Sequence, residues 1–233
     1  MHMQLATASP TYRPLPSRVG PLPSIPQDDR NEDVLDAIGT VVSVARGAEL
    51  YGEGEKADCW YQVRSGMLRT YKLLSDGRRQ IDAFLMPGDF LGFEGLSEHS
   101  FAADAITKAT VVRYSRGRID TLARENARFG AHLLQITLKR LSEAHDHLML
   151  LGRKTAEEKI VSFLLDQLDR AEERDIIELP MSRGDIADYL GLTIETVSRT
   201  LSALKQEGMI ELPNVHQILV LDREALQGLD GNE

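Results

Sequence analysis

Three side chains in the C-terminal quarter of the chain have the types and spacing that suit hydrogen bonding to DNA base edges. Glu195, Ser198 and Arg199 stand at positions i, i+3 and i+4, so a helix would place them on one face. Arginine donates two hydrogen bonds to guanine, glutamate accepts one from cytosine, and a serine hydroxyl reaches bases or phosphates. Because Glu195 and Arg199 are four residues apart, a simple ion pair on a solvated face is the competing interpretation.

The flanking residues predict a helix-turn-helix and so favour base reading. Ser182 and Asp185 have the spacing of a capping box at the start of a first helix. Gly191 suits the turn that ends this helix, since glycine accepts a positive φ. Thr193 is expected to cap a second helix that runs through Glu207. Recognition helices meet base edges with their N-terminal turns. The buried stripe of the second helix is predicted at Val197, Leu201 and Leu204.

Further DNA contacts are predicted around this second helix and in the hairpin that follows it. The segment 209–221 alternates like two strands, with the turn expected at Pro213-Asn214. His216 and Gln217 would there either meet a phosphate or belong to a solvated hairpin. The predicted backbone or secondary contacts are Ser182, Thr193, Ile194, Thr196, Ser202, His216 and Gln217.

The charge of the chain constrains how it would hold DNA. The whole chain carries a formal charge of −9, and residues 180–220 contain three Lys or Arg against five Asp or Glu. Nucleic-acid binders usually present a basic surface. We therefore expect few phosphate contacts from cationic side chains, more from hydroxyls and helix N-termini, and a shallow dependence of affinity on salt.

Composition and glycine spacing predict a globular protein of the α+β class with a β-roll or jelly roll near its N-terminal side. The chain has 233 residues, 42% hydrophobic and 27% charged, with a single cysteine and no apolar run long enough for a membrane span. Between Val41 and Tyr114, short strands alternate with glycine turns, including Asp76-Gly77. Cys59 is expected to open one strand as a core residue. One cysteine excludes an internal disulfide and is consistent with the cytoplasm.

A long helical stretch follows, predicted from Ile119 to about Gly152. Apolar residues that step by four and three form a seam of the coiled-coil kind, which favours a homodimer over a helix buried in a monomer. Off the seam, the side chains expected to pack on the β-roll are Leu133, Ile136, Met149 and Leu151. The seam consists of Ala127, Ala131, Leu134, Leu138, Leu141, His145, Leu148 and Gly152.

The predicted division of the chain has five parts. Residues 1–30 hold six of the nine prolines and are read as an extended arm. Residues 31–117 are assigned to a sensor-like β-roll, 118–152 to a dimerisation helix, 153–228 to a winged helix-turn-helix and 229–233 to a tail. The capping box Thr155-Ala156-Glu157-Glu158 places the boundary between the last two folded parts near Gly152-Arg153-Lys154.

The segment Glu195-Thr196-Val197-Ser198-Arg199 resembles the E-x-x-S-R recognition motif of the CRP/FNR superfamily of bacterial transcription regulators. The resemblance extends over roughly residues 30–228 and is greatest to the FixK branch. It implies a cyclic-nucleotide-binding-like roll, a winged helix-turn-helix, and a homodimer on a palindrome of TTGAT half-sites. It assigns Glu195 and Arg199 to a G·C pair and Ser198 to a neighbouring thymine. It also implies a polymerase contact at the hairpin residues Asp76, Gly77 and Arg78, for which a solvated turn is the alternative.

The resemblance to the FixK branch also suggests control of micro-oxic respiration or nitrogen-fixation genes. Family members that bind cyclic nucleotides hold the phosphate with an arginine, whereas the segment from Gly92 to Asp104 has no arginine. We expect Asp104 to repel a phosphate, and Glu94 alone resembles a ribose contact. Oxygen-sensing members use four cysteines, and the histidines His99, His132, His145 and His147 show no ligand spacing.

We therefore expect no cofactor, no metal, and a regulator, mainly an activator, that needs no effector. A ligand-dependent regulator of the same family is the alternative. An enzyme built on a cupin-like roll is a third reading, but no nucleophile elbow, P-loop or zinc signature supports catalysis.

Overall fold

Two antiparallel sheets share one core in the first half of the chain. The structure, a computed structural model, describes residues 35, 37–93, 97–171 and 175–231. The arm expected over 1–30, Glu94 and the end of the tail lie outside the described residues. The sheets have the orders β1-β8-β3-β6 and β2-β7-β4-β5. Their strands are β1 (Thr40–Val44), β2 (Glu49–Tyr51), β3 (Cys59–Ser65), β4 (Leu68–Leu73), β5 (Arg79–Leu85), β6 (Phe90–Leu91), β7 (Ala102–Ala105) and β8 (Ala109–Ser115).

Inward-facing apolar residues of both sheets close this β-roll. Val63 and Val111 on one sheet meet Leu68 and Leu85 on the other, and all four are fully buried. Strands β4 and β5 pair directly and form a hairpin around Asp76-Gly77, as its turn chemistry predicts. The predicted β-roll is confirmed, and Cys59 opens β3 in a half-buried position.

The helical stretch after the roll is two helices rather than one. Helix α1 (Arg116–Glu125) ends at Asn126, and helix α2 (Ala127–Arg153) begins immediately after it. Asn126 has an extended backbone, and its side chain accepts a hydrogen bond from the amide of Phe129 at 3.1 Å. The prediction of one helix from Ile119 is wrong because an asparagine cap competes with helix continuation.

Helix α2 has two apolar faces with different surroundings. Phe129, Leu133 and Ile136 are buried against the roll. The predicted packing of Met149 on the roll is wrong, because 63% of its surface is exposed. Leu151 is half-buried and lies beside Gly191 rather than on the roll. Leu134, Leu138, Leu141 and Leu148 are 49–65% exposed, so the predicted seam lies on the surface of the chain.

The C-terminal part is a small helical domain with a three-stranded sheet of order β10-β11-β9. Its helices and all three strands meet in one core, where the buried residues Ile160, Leu190 and Leu204 lie. Its elements are α3 (Ala156–Arg170), β9 (Ile176–Glu178), α4 (Arg183–Leu190), α5 (Ile194–Gln206), β10 (Ile210–Asn214), β11 (Gln217–Val220) and α6 (Arg223–Leu229).

The joint between α2 and α3 is fastened by Lys154. Its backbone is extended, and its ammonium donates to Ser162 Oγ, to the Asp230 carboxylate and to the Asp230 carbonyl, each at 2.8 Å. This ties the end of the chain after α6 to the start of α3. Among the described helices, none is both long and apolar enough to cross a membrane.

Gly66 provides a test of the roll. It joins β3 to β4 with φ +78°, and a Cβ there would lie 2.3 Å from the Lys108 carbonyl oxygen. We expect Gly66→Ala to lower the free energy of unfolding by more than about 3 kcal/mol, since backbone strain and a clash with main chain add together. Urea unfolding at fixed protein concentration measures this loss.

Gly54→Ala is the matched control. Gly54 has φ +80°, but its Cβ would meet nothing within 4 Å. It should cost only about 1–2 kcal/mol, the penalty of the left-handed conformation itself. Equal losses for the two variants would contradict the contact assigned to Gly66.

Candidate DNA-binding site

Helix α5 presents one face to solvent and one to the core. Val197, Leu201 and Leu204 are at most 3% exposed and pack in the core with α3 and α4. On the opposite side Glu195 and Arg199 are exposed. The Thr193 hydroxyl accepts from the amide of Thr196 at 3.2 Å, so the helix begins where the sequence predicted. With this cap α5 starts at Ile194, and the outer side of its first turns faces solvent.

Helix α4 is set by the predicted capping box. Ser182 Oγ accepts from the amide of Asp185 at 3.1 Å, and Asp185 Oδ2 accepts from the amide of Ser182 at 3.0 Å. Gly191 ends the helix in the left-handed conformation, φ +63°. Together these two local signals fix the turn that places α5 beyond α4.

The alternative of a Glu195–Arg199 ion pair does not hold here. Among the described residues, no ion pair within 4 Å joins the two side chains, and both remain in solvent. Ser198 is half-buried, and its hydroxyl oxygen accepts from Arg183 Nη1 at 3.3 Å. Arg183 was not predicted as a site residue. The capping box in the sequence could have pointed to it, because Arg183 directly follows the Ser182 cap and is the first residue of α4.

The predicted secondary residues divide by what their polar atoms already do. Ser182 Oγ also donates to Asp185 Oδ2 at 2.8 Å, so its hydroxyl serves the cap. The Thr193 and Thr196 hydroxyls lie 3.0 Å apart. Ser202 Oγ donates to the Ser198 carbonyl at 2.8 Å, and Ile194 is 52% exposed at the start of α5.

The hairpin after α5 turns later than predicted. Residues Val215 and His216 form the turn, while Pro213 and Asn214 belong to β10. The register shifts between Glu211 and Asn214, and Asn214 Oδ1 accepts from the His216 amide at 2.8 Å. A short asparagine side chain that bonds its own backbone two residues on moves the turn to that point.

His216 and Gln217 are both held against β9. His216 Nδ1 donates to the Leu179 carbonyl at 2.9 Å, and the Gln217 amide donates to Glu178 at 2.9 Å. A carbonyl only accepts, so Nδ1 carries the proton, and Nε2 donates to a phosphate only when the ring is doubly protonated. His216 thus offers a phosphate a conditional contact.

The other predicted surfaces lie apart from α5. Asp76 and Arg78 form an exposed ion pair at 2.8 Å on the β4–β5 hairpin, around Gly77. The exposed seam of α2 includes His145. Among the described residues, no group of three His, Cys, Asp or Glu side chains is placed to hold a metal ion.

Comparisons with known proteins agree on the family. The Crp-like helix-turn-helix domain matches residues 158–229, and the cyclic nucleotide-binding domain matches residues 41–126. The nitrogen fixation regulation protein FixK of Azorhizobium caulinodans is 43% identical over 86% of this chain and 83% of its own. The chain belongs to the CRP/FNR family. The structure of FixK2 from Bradyrhizobium japonicum is 44% identical, with a TM-score of 0.80 over 83% of this chain and 98% of that chain.

Membership in the CRP/FNR family makes this chain a DNA-binding transcription regulator of the FixK type. The transcriptional activatory protein AadR of Rhodopseudomonas palustris is 44% identical over 69% of each chain. Both relatives are regulatory proteins.

In this CRP/FNR member, the described part of the roll contains a cluster of aromatic rings. Tyr51, Tyr61 and His99 stack inside it, with Tyr51 and His99 ring centroids 3.7 Å apart. Asp104 is not the free negative charge that the sequence predicted, because Arg69 Nε lies 2.7 Å from its carboxylate. Since Arg69 is itself held between Asp104 and a second carboxylate, it is not available to an anionic ligand.

A second contact region of this regulator joins α4 to α2. The His147 ring stacks on Tyr189 with centroids 4.1 Å apart, and its Nε2 donates to the Tyr189 carbonyl at 2.9 Å. Burial lowers the pKa of His147 and outweighs the hydrogen bond to Tyr189, which raises it. The neutral ring is therefore the form that this packing favours.

This predicts a loss of stability at mildly acidic pH. A histidine with a lowered pKa stabilises the fold above its unfolded value, about 6.5, and the stabilisation declines as pH falls toward the folded value. We expect the free energy of unfolding to fall as the pH drops below about 6.5 on account of His147. His147→Phe, which keeps the stack and cannot charge, should flatten this slope in urea titrations. An unchanged slope in that variant would assign the pH dependence to other groups.

Proposed function

We propose that this regulator binds, as a homodimer and without a small effector, to a palindrome of TTGAT-type half-sites, and that it acts mainly as an activator. The observation that carries the proposal is the outer face of α5. Its N-terminal turns hold Glu195 and Arg199 in solvent, without a mutual ion pair, on a helix whose other face is fully buried. That is the presentation that a major-groove helix requires.

The roles of the reading residues follow from their donors and acceptors. Arg199 would donate to guanine O6 and N7, and Glu195 would accept from the paired cytosine N4. Ser198, oriented by Arg183, would approach the neighbouring thymine. Side chains of α5 and of the hairpin after it would line the DNA backbone around this contact. They are the hydroxyls of Thr193, Thr196 and Ser202, together with Ile194, His216 and Gln217. Ser182 would act through the capping of α4.

The exposed seam of α2 supplies the dimer. Leu134, Leu138, Leu141, His145 and Leu148 form a stripe that a single chain leaves in water, and a palindrome requires a twofold partner. Helix α2 would then carry the dimer contact. The roll before it and the helix-turn-helix after it would form separate units. The boundaries of these units would be those of the predicted division, at 117, 152 and 228.

Independence from an effector is supported by the interior of the roll. Tyr51, Tyr61 and His99 stack in the described part of that interior, and Arg69 is paired with the carboxylates of Asp104 and Asp185. A ligand-dependent regulator of the same family remains the second candidate. Its support is the match of residues 41–126 to the cyclic nucleotide-binding domain.

Activation would use the β4–β5 hairpin. Asp76, Gly77 and Arg78 stand exposed at its tip, where a polymerase surface has room to dock. The names of the relatives, FixK and AadR, support activation and a link to nitrogen-fixation genes.

Fluorescence anisotropy on a duplex with TTGAT and ATCAA separated by four base pairs tests DNA binding, in air and without ligand. The half-sites then lie about one helical turn apart. We expect tight binding to this duplex and weak binding to a scrambled one. Arg199→Ala should lose about 1–3 kcal/mol per half-site and relax the preference at the guanine. Lys205→Ala, on the last turn of α5, is the control and should keep that preference.

Binding by the wild type only after a cyclic nucleotide is added would support the second candidate. Unchanged sequence preference in Arg199→Ala would contradict its assignment to a base.

The dimer is tested by Leu141→Glu. Leu141 is 51% exposed, so the single chain tolerates the change, whereas a dimer would bring two glutamates together across its axis. We expect sedimentation to show monomers and the operator affinity to fall sharply. Asp146→Asn, an exposed change away from the seam on the same helix, should leave the dimer intact. A dimeric Leu141→Glu would place the interface elsewhere.

A further inference from the structure

The first helix of the helix-turn-helix is joined to the β-roll by ion pairs centred on the buried carboxylate of Asp185. Arg69 on β4 and Arg79 on β5 both donate to Asp185 on α4, more than 100 residues along the chain. Arg79 also donates from Nε to Asp188 Oδ2 at 2.8 Å. We call these four side chains the interdomain latch. They connect the roll to the DNA-binding unit directly, without passing through the α2–α3 joint.

The latch uses one carboxylate for two purposes. Asp185 Oδ2 accepts from the Ser182 amide and hydroxyl and so caps α4. Asp185 Oδ1 accepts from both guanidiniums, with Arg79 Nη2 at 2.5 Å. The cap of α4 and its docking on the roll therefore share one side chain.

The latch is most buried at Asp185. The Asp185 side chain is 8% exposed and that of Arg69 is 15% exposed, whereas Arg79 is 25% and Asp188 is 33% exposed. Burial raises the pKa of Asp185, but the hydrogen bonds from Ser182 and the charges of Arg69 and Arg79 outweigh it, so the pKa is lowered. Removing one partner of such a pair leaves a buried charge uncompensated, which is costly. Gln80 adds a hydrogen bond to the Tyr189 carbonyl at 3.2 Å.

The latch contacts α4 and leaves the outer face of α5, which is proposed to contact bases, exposed. Arg79 and Arg69 contact Asp185 and Asp188, while Glu195, Arg199 and Ser202 on α5 remain exposed. The docked arrangement is thus compatible with DNA contact. Since the contacts lie within one chain and involve no ligand, they can set the orientation of the DNA-binding unit without one.

We propose that Arg69 and Arg79 are positioning residues, which hold the helix-turn-helix in its DNA-competent orientation by clamping Asp185 and Asp188 to the roll. This deepens the proposed function and rests on it, since it explains how operator binding proceeds without an effector. If the latched orientation is the binding-competent one, opening the latch lowers its population and raises the apparent Kd in proportion.

The test uses the full-length dimer and two readouts. Operator affinity is measured by anisotropy, and hydrogen exchange of α4 amides is measured without DNA. Arg79→Met removes the charge and keeps the length of the side chain. We expect it to raise the operator Kd about tenfold and to speed exchange in α4 by a similar factor. Arg79→Lys, which keeps one charged donor, should restore most of the affinity.

Asp188→Asn supplies the second leg of a double-mutant cycle, because Asp188 does not cap α4. If the two residues act through one contact, the double variant should bind about as weakly as Arg79→Met alone. The control is Lys72→Met on β4. Lys72 pairs only with Glu53 of the same roll, at 2.9 Å, among the described residues, and its loss should leave Kd and exchange unchanged.

Five outcomes test the proposal. Tighter operator binding by Arg79→Met would overturn the proposal, because the latch would then be inhibitory. Affinity and exchange like those of Lys72→Met would also overturn it. Failure of the wild type to bind the operator would overturn the proposed function. Unchanged amide exchange in Arg79→Met would separately contradict the role of the latch in holding α4. Faster exchange and weaker binding, both recovered in Arg79→Lys, would establish it.

Discussion

The carboxylate of Asp185 is the contact on which the arrangement of the two halves depends. A buried carboxylate is tolerated when its lone pairs are filled by donors, and the four donors here come from two separate units. Two belong to Ser182, which caps α4, and two belong to adjacent strands of the roll. Movement of α4 away from the roll would leave Asp185 Oδ1 without its cations.

Helix α2 divides its apolar residues between two partners, and this division explains its length. Phe129, Leu133 and Ile136 pack on the roll in the first third of the helix. From Leu134 to Leu148 the exposed stripe continues past the roll, where no described residue covers it. On another face of the same span, His147 stacks on Tyr189 and brings the helix into contact with α4. One element thus links a core, a free surface and the DNA-binding unit.

The features that the sequence predicted well are those with local chemistry. The capping boxes at Ser182 and Thr155 and the left-handed Gly191 each depend on residues within three or four positions, and all three are present in the structure. Local chemistry also explains two wrong predictions. Asn126 caps α2 and interrupts the single helix expected from Ile119, and Asn214 shifts the turn of the β10–β11 hairpin. The latch had no local signal. An arginine on a strand does not indicate which carboxylate, 106 residues away, will neutralise it.

The latch also changes the electrostatic argument about DNA. Counted alone, residues 180–220 have five acids and three bases, a poor surface for a polyanion. Two of those acids, Asp185 and Asp188, face arginines of the roll, and Asp185 has a lowered pKa for that reason among others. Their charges are therefore partly compensated by Arg79 and by Arg69, which Asp185 shares with Asp104, and the count omits both arginines. Of the five acids, Glu195, Glu207 and Glu211 remain outside these contacts. Docking on the roll thus makes the electrostatic potential around α5 less repulsive to phosphate than the composition of residues 180–220 suggests.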